Sequence, residues 1–274
     1  MAYANRSSGE CKRRVGIVAV AMAGVALAAS MGADAQTSVV SDNTFLDANW
    51  TLTTFVAGNP GSVVAGQSGG IGSPAPSRVV SDTVGPAPSV STESVIMGVS
   101  IYTPFTYNPG ASGAIGTINY SEVAACTSGC FGAGQSTGPA LLQGGNYYVL
   151  IPSIITGPGS AFANHSANGL TAADFGLVAV TTAGQLADPA VHPNFSASGL
   201  PIQFGFLRAN GSSNGGAGYT LAAAIDNWQI SVFALAPPSA APPTAPIPTL
   251  GDIALLALAS LMSLTAFVYL RRRQ

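Results

Sequence analysis

Between Gln36 and Leu235 the apolar residues come in short runs, broken every few positions by Gly, Pro, Asn and Ser. No segment here sustains a 3.6-residue period. Runs of β-branched and aromatic residues bounded by turn signals predict strands. They fall at Phe45–Phe55, Ser77–Thr83, Ser94–Tyr102, Thr117–Val123, Asn146–Ile151, Phe175–Val180, Ile202–Arg208 and Thr220–Leu235, the last as one strand or two. Turn signals such as "GNPG", "YNPG", "QGGN" and "NGSSNGG" separate them. "LTAADF" predicts one helical turn with Thr171 as its cap. Many short strands with Gly-rich turns predict an all-β domain, a sandwich or jelly roll, over residues 36–235.

The sharpest alternation lies in "AIDNWQISVFAL". Trp228, Ile230 and Val232 share one face of a strand, and Gln229 and Ser231 share the other. By the same parity Asp226 points inward, so its carboxylate requires Arg208, backbone N–H groups or a metal as partner. Trp50 and Trp228 are expected in the core. Tyr147 and Tyr148 are adjacent, so on a strand one of them faces away from the core.

The two ends break the pattern. Lys12, Arg13 and Arg14 precede an apolar stretch from Val15 to Ala29 and an Ala33-Asp34-Ala35 site. That order predicts a secretory signal peptide over residues 1–35. At the other end Ile253–Leu270 holds no charge and is followed by Arg271, Arg272 and Arg273. As a helix it spans about 27 Å, close to the hydrocarbon core of a bilayer. The basic cluster predicts the cytoplasmic side, leaving the preceding chain outside. Residues 236–246, "APPSAAPPTAP", predict an extended linker of roughly 34 Å.

Charge and cysteine use sharpen this. Between residues 36 and 246 the basic residues are Arg78 and Arg208, set against eight carboxylates. Phosphate neutralisation needs clustered Lys and Arg, so nucleic acid is excluded as a partner. Cys126 and Cys130 in "CTSGC" flank a Gly-containing turn and predict a local disulfide. Glu93, Glu122, Asp174 and Asp226 fall on or beside strands, but no local motif pairs them for glycan hydrolysis. His165 and His192 sit in Asn- or Pro-rich stretches and read as loop residues. No enzyme is expected.

Two resemblances add to this reading. Ile247-Pro248-Thr249-Leu250, the apolar helix and the arginine cluster together resemble the IPTL-CTERM sorting signal of Gram-negative bacteria, similar in logic to PEP-CTERM. Where that family usually places Trp-Gly, this chain has Ile253-Ala254. The resemblance implies export across the inner membrane and a tether on its periplasmic side. It also implies processing by an exosortase, a membrane-embedded enzyme of cysteine-transpeptidase type, and delivery to the cell surface or extracellular matrix. The second resemblance rests on Phe45, Trp50, "GNPG" at Gly58–Gly61, "SRVV", "IQFGFLRANG" and "AIDNWQISV". These look like the concanavalin A-like (laminin G-like) sandwich, whose first and last strands lie side by side. That resemblance implies a sugar-binding or surface-building domain, often with a structural calcium. Asp42, Asp47, Asp226 and Asn227 are the candidate calcium ligands, since calcium takes oxygen donors. Tyr102, Phe105 and Tyr107, around a proline turn, are the candidate aromatic platform for a sugar. The expected function is polysaccharide or matrix binding without catalysis. The alternatives are a purely structural surface protein and a glycan hydrolase.

Overall fold

The computed structural model describes residues 37–72, 76–89, 92–179, 186–236 and 250–273. The expected signal peptide and the residues Ile247, Pro248 and Thr249 lie outside them, as does all of the expected linker but Ala236. The described strands are β1 (Thr37–Asp42), β2 (Trp50–Ala57), β3 (Ser62–Ser68), β4 (Ser77–Val84), β5 (Ser94–Tyr102), β6 (Ile115–Ser128), β7 (Ser136–Gln143) and β8 (Asn146–Leu150). They continue with β9 (Ile154–Ile155), β10 (Ala163–Leu170), β11 (Phe175–Val178), β12 (Ala187–Asp188), β13 (Ile202–Ser212) and β14 (Tyr219–Ala234). The α-helices among the described residues are one turn, α1 (Pro109–Ser112), and α2 (Leu250–Arg271), and single 3-10 turns lie at Asp47–Asn49 and Ala172–Asp174.

The strands form two antiparallel sheets. The first runs β10-β6-β14-β4-β3, with β1 also paired to β14. The second runs β12-β11-β8-β7-β13-β5-β2, with β9 paired to β7. The all-β sandwich expected from sequence is present. Its first and last strands are neighbours, Thr37 opposite Phe233 and Asp42 opposite Trp228.

The main core fills the space between the sheets. Trp50 and Trp228 meet edge to face with ring centroids 5.0 Å apart. Phe45, Phe206 and Tyr102 pack against Trp50 at 5.8, 5.2 and 5.2 Å. Such ring pairs add stabilisation beyond their buried area. Asp42 ties this corner together. Its Oδ1 accepts from Thr44 N at 2.7 Å and Phe45 N at 3.1 Å, and its Oδ2 accepts from Trp50 Nε1 at 2.8 Å.

β14 runs unbroken, and one bulge changes its parity. Asp226 opposes Val123 but Gln229 opposes Ser121, so β14 holds one residue more than β6 across this interval. Asn227, at φ 48°, absorbs it. As a result Ile225, and not Asp226, shares the core face with Trp228, Ile230 and Val232. The inward placement of Asp226 by simple alternation is therefore corrected, although Asp226 is fully buried. Its Oδ1 accepts from Asn227 N at 2.7 Å, while Arg208 pairs with Glu122.

Cys126 and Cys130 form the predicted disulfide, with Cα atoms 5.7 Å apart. The loop it closes is short, so its removal from the unfolded-state restraint is worth about 2 kcal/mol. Urea unfolding with and without reductant should show a loss of that size. No change in midpoint would remove the disulfide from the account of stability.

In α2 the three hydroxyls that interrupt the apolar run are satisfied within the helix. Ser260, Ser263 and Thr265 donate to the carbonyls of Leu256, Ala259 and Leu261 at 2.7, 2.8 and 3.1 Å. From Ala254 to Arg271 the helix is long and apolar enough to cross a membrane, and none of that span is buried by protein.

Candidate functional site

The second sheet is strongly curled. β2 and β8 are separated by β5, β13 and β7, four strand spacings or about 19 Å on a flat sheet. Yet the hydroxyls of Thr53 on β2 and Tyr147 on β8 lie 2.9 Å apart, and Phe55 meets the Tyr147 ring at 5.4 Å. The outer face of this sheet is therefore concave. Curling buries a second apolar cluster there, including Val99, Ile101, Ala140 and Leu207. A groove of about 420 Å³ remains, floored by Val95, Met97, Val149, Leu207 and Ala209 and walled by Leu186 and Pro189. Its polar side chains are Glu93, Ser136 and Ser153. An aliphatic floor with no aromatic ring is poor chemistry for a sugar.

The polar groups converge elsewhere, at the end of the same sheet. Gln143 and Asn146 oppose each other across a two-residue hairpin, Gly144-Gly145, with φ of 60° and 83°. Two positive φ values are the requirement of a type I′ turn, which is why glycines stand there. A pocket of about 250 Å³ opens beside this hairpin, lined by Gln143, Gly144, Asn146, Tyr148, His192, Asn194, Ser198 and Leu200.

The loop forming its far wall is pinned by one side chain. Gln143 Nε2 donates to the carbonyls of Asn194 at 2.7 Å and Leu200 at 2.9 Å, and Gln143 Oε1 accepts from Asn194 N at 2.7 Å. Pro193 and Phe195 are buried, while Asn194 between them and His192 before them are exposed. His192 Nδ1 lies 2.8 Å from the Phe175 carbonyl. A carbonyl only accepts, so Nδ1 carries the proton and Nε2 of the neutral ring is left as an acceptor. Asn194 Oδ1 accepts from Ser196 N at 2.9 Å and Ser196 Oγ at 2.7 Å. Tyr148 packs its ring into the core at 7 % exposure and lines the pocket, and its hydroxyl makes no hydrogen bond among the described residues. Leu200, 59 % exposed, gives the pocket one apolar edge.

The residues anticipated from sequence lie apart from this pocket. Tyr107 is corrected from a surface ring to a core one. It is 2 % exposed, and its hydroxyl donates to the carbonyls of Ser112 and Gly113 at 3.1 and 2.8 Å. Tyr102 packs on Trp50 and Trp228, and Phe105 on Phe204 at 6.1 Å. Each is half-buried against the core. Of the candidate calcium ligands, Asp42 and Asp47 already have protein partners. Asp42 spends both oxygens on protein donors, and Asp47 Oδ1 accepts from Arg78 at 2.7 Å and Gln67 N at 3.0 Å. Among the described residues no three His, Cys, Asp or Glu side chains group together. The motif's Leu250 begins α2, and Arg271, Arg272 and Arg273 follow at its end.

Glu122, one of the anticipated acids, is instead a buried structural group. Arg208 Nη1 and Thr137 Oγ1 both donate to its Oε1 at 3.0 Å, and Tyr120 donates to its Oε2. His165 is on strand β10 opposite Glu122, not in a loop. Burial lowers its pKa, against the opposing pull of Glu122. Deeper in the same polar layer, burial pushes Asp82 up to about 7 against the opposing Arg208 charge and the Gln135 hydrogen bond. The folded chain therefore holds this proton up to about pH 7, whereas the unfolded chain releases it near pH 4. Stability is lost as pH rises through that window. The difference in unfolding midpoint between wild type and Asp82→Asn should accordingly shift in favour of Asp82→Asn from about pH 4 to about pH 8. Parallel profiles would contradict the assignment.

Comparison with known proteins bears on the two ends of this picture. Residues 245–273 match the IPTL-CTERM motif. The chain carries an IPTL-CTERM tail. In it, the tetrapeptide, α2 and the arginines stand in the expected order. No curated protein matches the chain. Among solved structures, CtCBM11 is similar at 12 % identity and a TM-score of 0.39, covering 75 % of this chain and 99 % of that one. The CBM22-1 xylan-binding domain of Paenibacillus barcinonensis Xyn10C is similar at 9 % identity and TM-score 0.35, over 73 % and 95 % of the two chains. The mannan-recognising carbohydrate-binding module TmCBM27 is similar at 10 % identity and TM-score 0.33, over 73 % and 99 %.

Proposed function

We propose that the protein is an exported bacterial surface protein whose sandwich binds carbohydrate without catalysis. Its IPTL-CTERM tail tethers it by α2 until an exosortase-type enzyme acts at Ile247–Leu250. The pocket beside Gly144-Gly145 carries the binding reading. It combines neutral side chains that both donate and accept, Asn146, Tyr148 and Ser198, with the apolar edge of Leu200. A sugar presents that same mixture of hydroxyls and C–H faces. Among the described residues no carboxylate lines the pocket, whereas glycoside hydrolysis calls on a pair of them.

A polysaccharide array probed with the full chain in zwitterionic detergent tests this, since such a detergent carries no competing sugar headgroup. Saturable binding to a defined glycan is expected. A folded protein that binds none of them would leave a structural surface role as the better account.

A further inference from the structure

We infer that the pocket takes one neutral sugar residue, at the end or branch tip of a glycan, and not a stretch of chain; this rests on the carbohydrate reading above. Size is the first argument. Cavities for drug-sized ligands run from about 300 to 1,000 Å³. At about 250 Å³ this pocket suits a single pyranose. Its walls are the second. The hairpin, the loop held by Gln143 and Tyr148 all line it. Because three hydrogen bonds already fix that loop, little ordering cost falls on binding.

Charge sets the class of sugar. Among the described residues no Arg, Lys, Asp or Glu lines the pocket, so a uronate or other acidic sugar would bring in a carboxylate with no counter-charge there. A neutral pyranose meets Tyr148 and the His192 acceptor with its hydroxyls and lays its C–H face on Leu200. Tyr148 is the diagnostic side chain. Its hydroxyl makes no hydrogen bond within the described protein, so its removal leaves no internal partner stranded.

The test is calorimetric titration of the full chain with ladders of one to six residues of malto-, cello-, xylo-, manno- and galacturono-oligosaccharide. Within a ladder that binds, Kd should change by less than about threefold from one residue to six. Tyr148→Phe should weaken binding about three- to tenfold with Tm unchanged. Affinity that tightens tenfold or more with length would place the site along the chain and overturn the inference. So would unaltered affinity in Tyr148→Phe. Binding of the acidic ladder alone would overturn it while leaving the carbohydrate reading intact. Silence of every ladder and of the polysaccharide array would remove both.

Discussion

Glu122→Ala is expected to destabilise the fold by about 3–5 kcal/mol, because it strands a guanidinium with no route to water. Arg208 is fully buried between the sheets, and so is Glu122, at 2 % exposure. Their ion pair spans 3.0 Å, and Thr137 and Tyr120 also bond to the carboxylate. Such a pair is not strongly stabilising in itself, since both charges were taken out of water to form it. Breaking it from one side is what costs. Replacing both partners, as Glu122→Leu with Arg208→Met, should therefore recover most of the loss. Urea unfolding of the two single variants and the double variant measures this directly. A double variant no better than Glu122→Ala would contradict the account, as would a single loss below about 1 kcal/mol.

Trp228→Ala should cost a similar amount, about 3–5 kcal/mol, by a different route. This indole is fully buried where the sheets meet, and it contacts both Trp50 and Tyr102 at 5.0 and 5.6 Å. Its removal leaves a cavity that the rigid corner around Asp42 and Trp50 fills only in part. Trp228→Phe should cost less, since a ring still faces Trp50. Thermal unfolding of both variants checks the order, and a Trp228→Phe loss equal to that of Trp228→Ala would show that the indole shape itself is required.

Those two core residues illustrate how unevenly the sequence reveals the fold. Trp228, Ile230 and Val232 alternate with polar residues, and the structure buries all three while exposing Gln229. Ser94–Tyr102 appears with the bounds its apolar run indicates. The one-turn helix capped by Thr171 is present at residues 172–174, where Asp174 completes a capping box. Strands without such a pattern were not legible. β7 carries Gly138 and Pro139 in its middle, both of which argue against a strand. It forms because Pro139 falls where its neighbour changes from β8 to β9, between the pairings at residues 136–137 and 140–143. β3 and β10 are rich in Ser, Gly, Asn and Ala, β1 is short with two Ser and an Asp, and pairing with longer strands defines all three. The bulge at Asn227 shows the limit of parity, since one added residue turned Ile225 inward in place of Asp226.

The pocket was less legible than the fold. "QGGN" marks a turn, and the adjacent tyrosines imply that one faces out, but neither brings His192, Asn194 and Leu200 to that turn. That depends on Gln143, whose three hydrogen bonds reach about fifty residues along the chain. Tyr102, Phe105 and Tyr107 gave a stronger surface signal from their proline turn, yet packing against Trp50, Phe204 and the 112–113 carbonyls draws them to the core. The tail was the most legible part, because its tetrapeptide, apolar helix and arginines are recognised by linear order and need no tertiary partner.

The proposed carbohydrate site is the pocket at the β7–β8 hairpin. Hydrogen-exchange mass spectrometry of the full chain, with and without the strongest glycan from the array, tests it most directly. Slowed exchange at residues 143–148 and 192–200, with little change around Val95, Met97 and Leu207, is the predicted result. Protection confined to the aliphatic groove, or no protection anywhere at saturating glycan, would contradict it.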